Sequence, residues 1–238
     1  MNAATALPSI KLNLGCGHDY REGWVNIDMN QWHRTDIVCD VTWLKPIADL
    51  HADHVLAQDI LEHIPRTGVL TALTEWNRVL RIGGTIEVRV PDLQSLVKLM
   101  DTPEYNHLVG HETLIQSCYG TQSYTGDFHL AGFTELTLRA QMERAGFRID
   151  RLDWKDQWLF ECYATKIAHM PPDPLVRIED PEEFLRQAYR GVLKREPDAG
   201  GFAFFHDLLV TGTPREAVLA QLNWAAHHTE NQPLPTLV

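Results

Sequence analysis

Residues Lys11 to Asp28 read KLNLGCGHDYREGWVNID. A short apolar run meets Gly15 and Gly17 on either side of Cys16, and a second run ends in the carboxylate of Asp28. Glycine takes φ > 0 freely and lets a ligand approach the backbone. A strand, such a turn and a strand with an acidic tip form a cradle for a nucleotide, the carboxylate reaching ribose hydroxyls. The dinucleotide fingerprint asks for a third glycine opening a full helix and an acid about 20 residues further on; here that glycine is missing and the acid comes early. Taken alone, a glycine pair is as readily a plain turn. Further along, His63 in LEHI and His129 in DFHLAGF are imidazoles suited to taking a proton from a reacting group, and His18 beside the glycine turn is a third. Asp59, Glu62 and His63 in DILEHI have D-x-x-E-H spacing, two carboxylates and an imidazole able to hold a hard or borderline cation.

These residues need elements to position them. Strand-like runs recur at IKLNL, WVNID, DIVCDV, HVLAQD and GTIEVRV, and helical material between the fourth and fifth argues for a parallel sheet covered by helices. The clearest helix is TGVLTALTEWNRVLR, with Val69, Leu73, Trp76 and Leu80 on one face, Glu75 and Arg78 facing out, and Gly83-Gly84 as its C-cap. Only about nine residues join the first two strands, so the first helix is expected to be a single turn. The stretch from His107 to Gly132 reads as a long irregular loop, TELTLRAQMERAGF as a helix, and FRIDRLDW and LFECYATKI as a closing pair of strands. At Met170 the character changes: MPPDPLVRIEDPEE stacks prolines and acids like a linker. Beyond it come three amphipathic helices, with Phe184, Tyr189, Leu193, Phe202, Phe205, Leu209, Val218 and Leu222 available for a small core.

A chain of 238 residues with a formal net charge of −11 suits one α/β domain plus a small extra unit and disfavours a nucleic-acid binder that relies on a broad basic face. MNAATALPSI has neither the basic start nor the apolar run of an export signal, and no stretch approaches the ~20 apolar residues of a membrane span, so a cytoplasmic location is expected. Cys16, Cys39, Cys118 and Cys162 lie far apart without C-x-x-C spacing, the pattern of reduced thiols.

Read in order, KLNLGCG, GWVNID, CDVTW, VLAQDILEHI, EWNRVLRIGGTIEVRVPD and LRAQMERAGF resemble the class I S-adenosylmethionine-dependent methyltransferases over roughly residues 10–167. The resemblance implies an α/β, Rossmann-like, seven-stranded sheet, its last strand antiparallel, with helices on both faces. This would occupy residues 1–168, followed by a linker at 169–180 and a small all-helical domain at 181–238. It implies that the turn Gly15-Cys16-Gly17 passes under the methionine part of S-adenosylmethionine, that Asp28 takes the ribose hydroxyls, and that Asp40 sits near the adenine amino group. Gln58 and Asp59 would lie near the reacting methyl. Asn13 stands where many relatives have an acid and would contribute a neutral hydrogen bond.

For the chemistry, His129, His63 and Asp59 are the candidates, with His129 expected as the base and His63 as chiefly structural. No metal ligand is assigned. The D-x-x-E-H spacing resembles the E-x-x-E-H of some quinone-biosynthesis O-methyltransferases that use a divalent ion, so that alternative stays open. The segment YRGVLKREPDAGGFAFF resembles an uncharacterised helical domain found beside bacterial surface-glycan enzymes. It implies a docking or self-association module and leans the acceptor toward a sugar or glycan intermediate of polysaccharide biosynthesis. The alternatives are O-methylation of a quinone or phenol, and a cofactor-binding scaffold without turnover.

Overall fold

The computed structural model describes residues 9–124 and 126–229. Residues 1–8, which hold most of the stretch read for an export signal, and residues 230–238, at the end of the C-terminal helical region, lie outside the described residues. The chain divides into two compact units, Met1–Pro171 and Pro172–Val238.

In the larger unit a seven-stranded sheet runs in the order β3-β2-β1-β4-β5-β7-β6. Its strands are β1 (Lys11–Leu14), β2 (Val25–Asp28), β3 (Ile37–Val38), β4 (Ala52–Gln58), β5 (Leu80–Pro91), β6 (Phe147–Lys155) and β7 (Leu159–Lys166). β7 alone is antiparallel to its neighbours β5 and β6, and the other pairs are parallel. The chain leaves β1 toward one edge and β4 toward the other, so the strand order reverses between them. Ligands of open α/β sheets bind at such a reversal, outside the carboxyl ends of the strands.

Helix α1 (Val69–Val79) and a later helix over Glu135–Arg144 pack on one face. Leu12, Leu14, Ile27, Val55, Ile86, Val88 and Phe160 point into this core together with Leu73, Trp76, Leu138 and Met142. Trp76 is fully buried and its indole N–H donates to the Val41 carbonyl at 2.9 Å. Helical cover is uneven between the two faces. On the other side Lys11, His54, Thr85, Glu87 and Tyr163 alternate with the core residues and are half-buried or exposed, because the β1–β2 and β2–β3 connections contain no helix.

That absence corrects the single-turn helix expected after β1, and its cause is local. Asn13 and Asn26 sit opposite each other in the β1–β2 ladder. Asn13 donates to Asn26 Oδ1 and to the Asp19 carbonyl, while Asn26 also accepts from Arg21 N–H and donates to the carbonyls of Arg21 and Trp24. Two buried amides thereby satisfy backbone groups that a helix would have paired.

α1 ends at Val79, earlier than the Gly83-Gly84 cap expected, because Leu80 already pairs with Ala52 and Lys166 Nζ bonds the carbonyls of Asn77 and Leu80. Glu75 does not face out: it is 0% exposed, accepts from Leu44 N–H and pairs with Arg78, which also bonds Asp49 and the carbonyls of Leu44 and Ile47. The connection from residue 41 to 49 covers the side of α1 that periodicity assigns to solvent.

The stretch read as one irregular loop contains α3 (Leu108–Tyr119), which follows α2 (Leu93–Leu99) and is N-capped by His107; among the described residues after it up to Gly132 there is no further helix or strand. α4 (Glu135–Arg144) opens on a capping box between Thr134 and Thr137.

The smaller unit holds α5 (Pro181–Ala188), continued by a π-turn over Tyr189–Leu193, α6 (Ala199–Val210) and α7 (Arg215–Thr229). Phe184, Tyr189, Val218 and Leu222 are buried, with Leu193, Phe202, Phe205 and Leu209 packed on them. Leu175, Val176 and Ile178 join this core, so the second half of the stretch read as linker packs as part of the helical unit. Among the described residues no helix is long and apolar enough to cross a membrane.

Candidate functional site

A cleft of about 330 Å³ opens where the sheet order reverses, lined by the turn after β1, the end of β2 and the end of β4. Asn13, Gly15, Cys16, Gly17, Asp28, Gln58, Asp59 and His63 all line it. Gly15 has φ +61° and Gly17 φ +49°, conformations glycine adopts without strain. A Cβ on Gly15 would come within 2.6 Å of the Ile60 side chain, so the turn is compressed against the β4 connection and presents bare backbone to the cleft.

Asp28 closes the opposite side. Its Oδ2 accepts from Gly17 N–H at 2.9 Å and its Oδ1 from Asn30 N–H at 2.7 Å. His33 Nδ1 lies 3.3 Å from the same Oδ1, and the rings of His33 and His18 meet edge to face at 4.7 Å. Asn13 spends both amide hydrogens on Asp19 and Asn26, leaving its carbonyl oxygen to accept from a ligand. Cys16 is buried, and burial followed by the nearby Asp28 charge pushes its thiol up to about 11, which keeps it an inert wall of the cleft. Gln58 accepts from Arg21 at 3.3 Å.

Asp59 adopts φ +53° and is gripped by Arg89 through two contacts, one of them Nε to Oδ1 at 2.9 Å. Its carboxylate lines the cleft while held in a bidentate pair. Asp40 does not line the cleft; it is exposed, and its Oδ1 caps Thr42 N–H at 2.7 Å. It follows the short strand β3, Ile37–Val38, after Cys39 N–H donates to the Asp28 carbonyl at 3.0 Å.

The two candidate bases are adjacent but unequal. His63 lines the cleft, and its Nδ1 lies 3.2 Å from the Phe128 carbonyl. A carbonyl only accepts, so Nδ1 carries the hydrogen, and in the neutral ring Nε2 then has the lone pair. His129 is half-buried and packs edge to face against His63, ring centroids 4.8 Å apart. Burial, then the neighbouring His63, holds its pKa below the ordinary histidine range. Of the two, His63 lines the cleft and His129 packs against it.

Sequence reasoning missed His33, Arg89 and Tyr124, all of which line the cleft. The signal for His33 was its place between β2 and β3, which the topology directs to the same edge as Asp28. It missed Glu62 as a buried group: only 2% exposed, its carboxyl is pushed up to about 8 by burial.

Residues 12–88 match the family model described as a methyltransferase domain. No curated protein matches the chain significantly in sequence. Among solved structures, an S-adenosylmethionine-dependent methyltransferase from Methanosarcina mazei superposes with a TM-score of 0.50 at 19% identity, covering 68% of this chain and 94% of that one. A possible exported protein from Bordetella parapertussis gives a TM-score of 0.50 at 15% identity over 68% of this chain, and the match spans 62% of that protein. The larger unit thus shares the fold of a solved S-adenosylmethionine-dependent methyltransferase, and residues 12–88 within it are similar to a methyltransferase domain.

Proposed function

We propose that the protein is an S-adenosylmethionine-dependent O-methyltransferase whose acceptor is a hydroxyl of a sugar or glycan intermediate. The cofactor suits the cleft on the chain's own terms: the strand-end turn at Gly15 and Gly17 leaves room for close backbone contact, Asp28 offers a carboxylate to vicinal hydroxyls, and Asn13 retains a carbonyl for an amino group. When bound, the cofactor supplies a methyl group already activated on a sulfonium. The protein's share is then alignment and a destination for the acceptor's proton.

One observation carries the catalytic reading: His63 has its Nδ1 hydrogen committed to Phe128 and its Nε2 lone pair left over, in the cleft that holds Gly15 and Asp28. Nε2 receives the hydroxyl proton as the oxygen attacks. Arg89 neutralises Asp59 and so prevents a second base from competing. Trp32, 85% exposed, and Tyr124, 60% exposed, offer flat apolar faces, Tyr124 in the cleft lining itself, on which a sugar ring can stack. The choice of a glycan acceptor rests only on the resemblance of YRGVLKREPDAGGFAFF to a helical domain found beside surface-glycan enzymes, and we assign that unit a docking or self-association role.

Incubation with methyl-labelled cofactor and a panel of sugar nucleotides, glycans and phenols tests this. Label in a carbohydrate is expected. Label only in phenols moves the acceptor to the quinone and phenol class, and cofactor binding without transfer to any acceptor leaves a scaffold role.

A further inference from the structure

Glu62 Oε2 is buried and has no hydrogen-bond partner. A carboxyl oxygen in that state is costly unless a proton or a cation completes it. Two imidazoles converge on the same point: one ligand-capable atom from each of Glu62, His63 and His129 lies within 4.8 Å of the others. Glu62 and His63 come from the short 3₁₀ turn Leu61–His63. His129 arrives on the loop after α3, fastened there because the Glu62 carbonyl accepts from both Leu130 N–H at 2.7 Å and Ala131 N–H at 3.0 Å. Asp59, which the D-x-x-E-H spacing would add, is engaged by Arg89 and is not one of the three.

We propose that Glu62, His63 and His129 bind one divalent cation of the zinc or first-row transition-metal class behind the cleft wall that His63 forms. Two imidazoles and one carboxylate suit Zn²⁺, Mn²⁺, Fe²⁺ or Co²⁺, whereas Mg²⁺ and Ca²⁺ prefer oxygen throughout. Donors on a common ion at about 2.0–2.2 Å stand roughly 3–3.5 Å apart, so the set closes by rotation of side chains, His129 being carried on an irregular loop. With His63 Nδ1 bonded to Phe128, the ion takes the Nε2 lone pair that the base proposed above would use, so a metal-loaded and a base-competent His63 exclude each other. The binding of the ion does not rest on that proposed function.

The test is calorimetric titration of ZnCl₂, with MnCl₂ and MgCl₂ in parallel, into full-length protein stripped with chelator, in the absence of acceptor and cofactor. One Zn²⁺ per chain is expected, bound at least tenfold more weakly by His129→Ala and by Glu62→Gln, and unchanged in His51→Gln, whose side chain is exposed elsewhere. The Glu62→Gln change keeps shape and removes only the ligand charge, and far-ultraviolet circular dichroism verifies that each variant is folded. Absence of saturable binding, equal binding by all variants, or binding lost in Asp59→Asn but kept in His129→Ala overturns the assignment. Because nothing is methylated in this measurement, failure to find an acceptor does not affect its outcome.

Discussion

His129 stands edge-on to His63, the two rings nearly perpendicular at 86°, and only His63 reaches the cleft. The pairing orders two residues that their sequence context leaves equivalent. His63 meets a substrate, while His129 meets His63 and fixes its ring plane together with the Phe128 carbonyl.

Removal of His63 therefore carries the larger kinetic effect. His63→Ala should lower methyl transfer by roughly 10²–10⁴-fold, the range for a positioned base, with cofactor affinity nearly intact. His129→Ala should cost less in kcat and leave the KM for the cofactor unchanged. Steady-state kinetics on both variants decides the order; a larger loss in His129→Ala would restore His129 as the base.

Glu75 provides a test of the core. Its carboxylate is fully buried and pairs with Arg78, whose side chain is 16% exposed. Removing one member of a buried pair strands the other, at a cost of roughly 3–5 kcal/mol. Glu75→Ala should lose stability of that order in urea unfolding, and a change under 1 kcal/mol would mean the pair contributes little.

How much of this was legible follows from what each residue type demands. Gly15, Gly17 and Asp28 could be read because a turn at positive φ and an acidic strand tip are local requirements, and the stripe Val69, Leu73, Trp76 and Leu80 because a helix repeats at a fixed period. Glu75 could not: the same period sends it to solvent, and only the fold of the 41–49 connection covers it. Asn13 and Asn26 replace a helix through a ladder register that no single segment records. The meeting of His63 with His129, and of Asp28 with His33, depends on which loops share one edge of the sheet.

Lys166 gives a pH dependence with a definite sign. Burial lowers its pKa from 10.5 to about 8. Its Nζ contacts the carbonyls of Asn77 and Leu80 and His169 Nδ1 at 2.9 Å; a neutral amine satisfies all three by donating twice and accepting once. Between pH about 8 and 10.5 the unfolded chain binds the extra proton and the folded one does not, so this contribution to stability rises with pH across that window and is flat below it. The melting temperature of the wild type relative to Lys166→Met should increase from pH 8 to 10.5. A constant or falling difference would show that Lys166 stays charged in the fold.

The division into two units predicts that residues 1–171 fold alone, since Asn77 anchors Ala168 and Met170 to the larger unit. That fragment should unfold cooperatively and be stabilised by S-adenosylhomocysteine. Insolubility, or a melt unaffected by the ligand when the full chain is protected, would place the boundary elsewhere.

The most direct test of the whole account is calorimetric titration of S-adenosylmethionine into the wild type and Asp28→Ala. Charge-assisted hydrogen bonds to the ribose are worth about 1.5–3 kcal/mol, so binding to a single site should weaken by roughly tenfold to a hundredfold in the variant. Equal affinity in the two proteins, or no binding to the wild type, would contradict a cofactor site between Gly15 and Asp28.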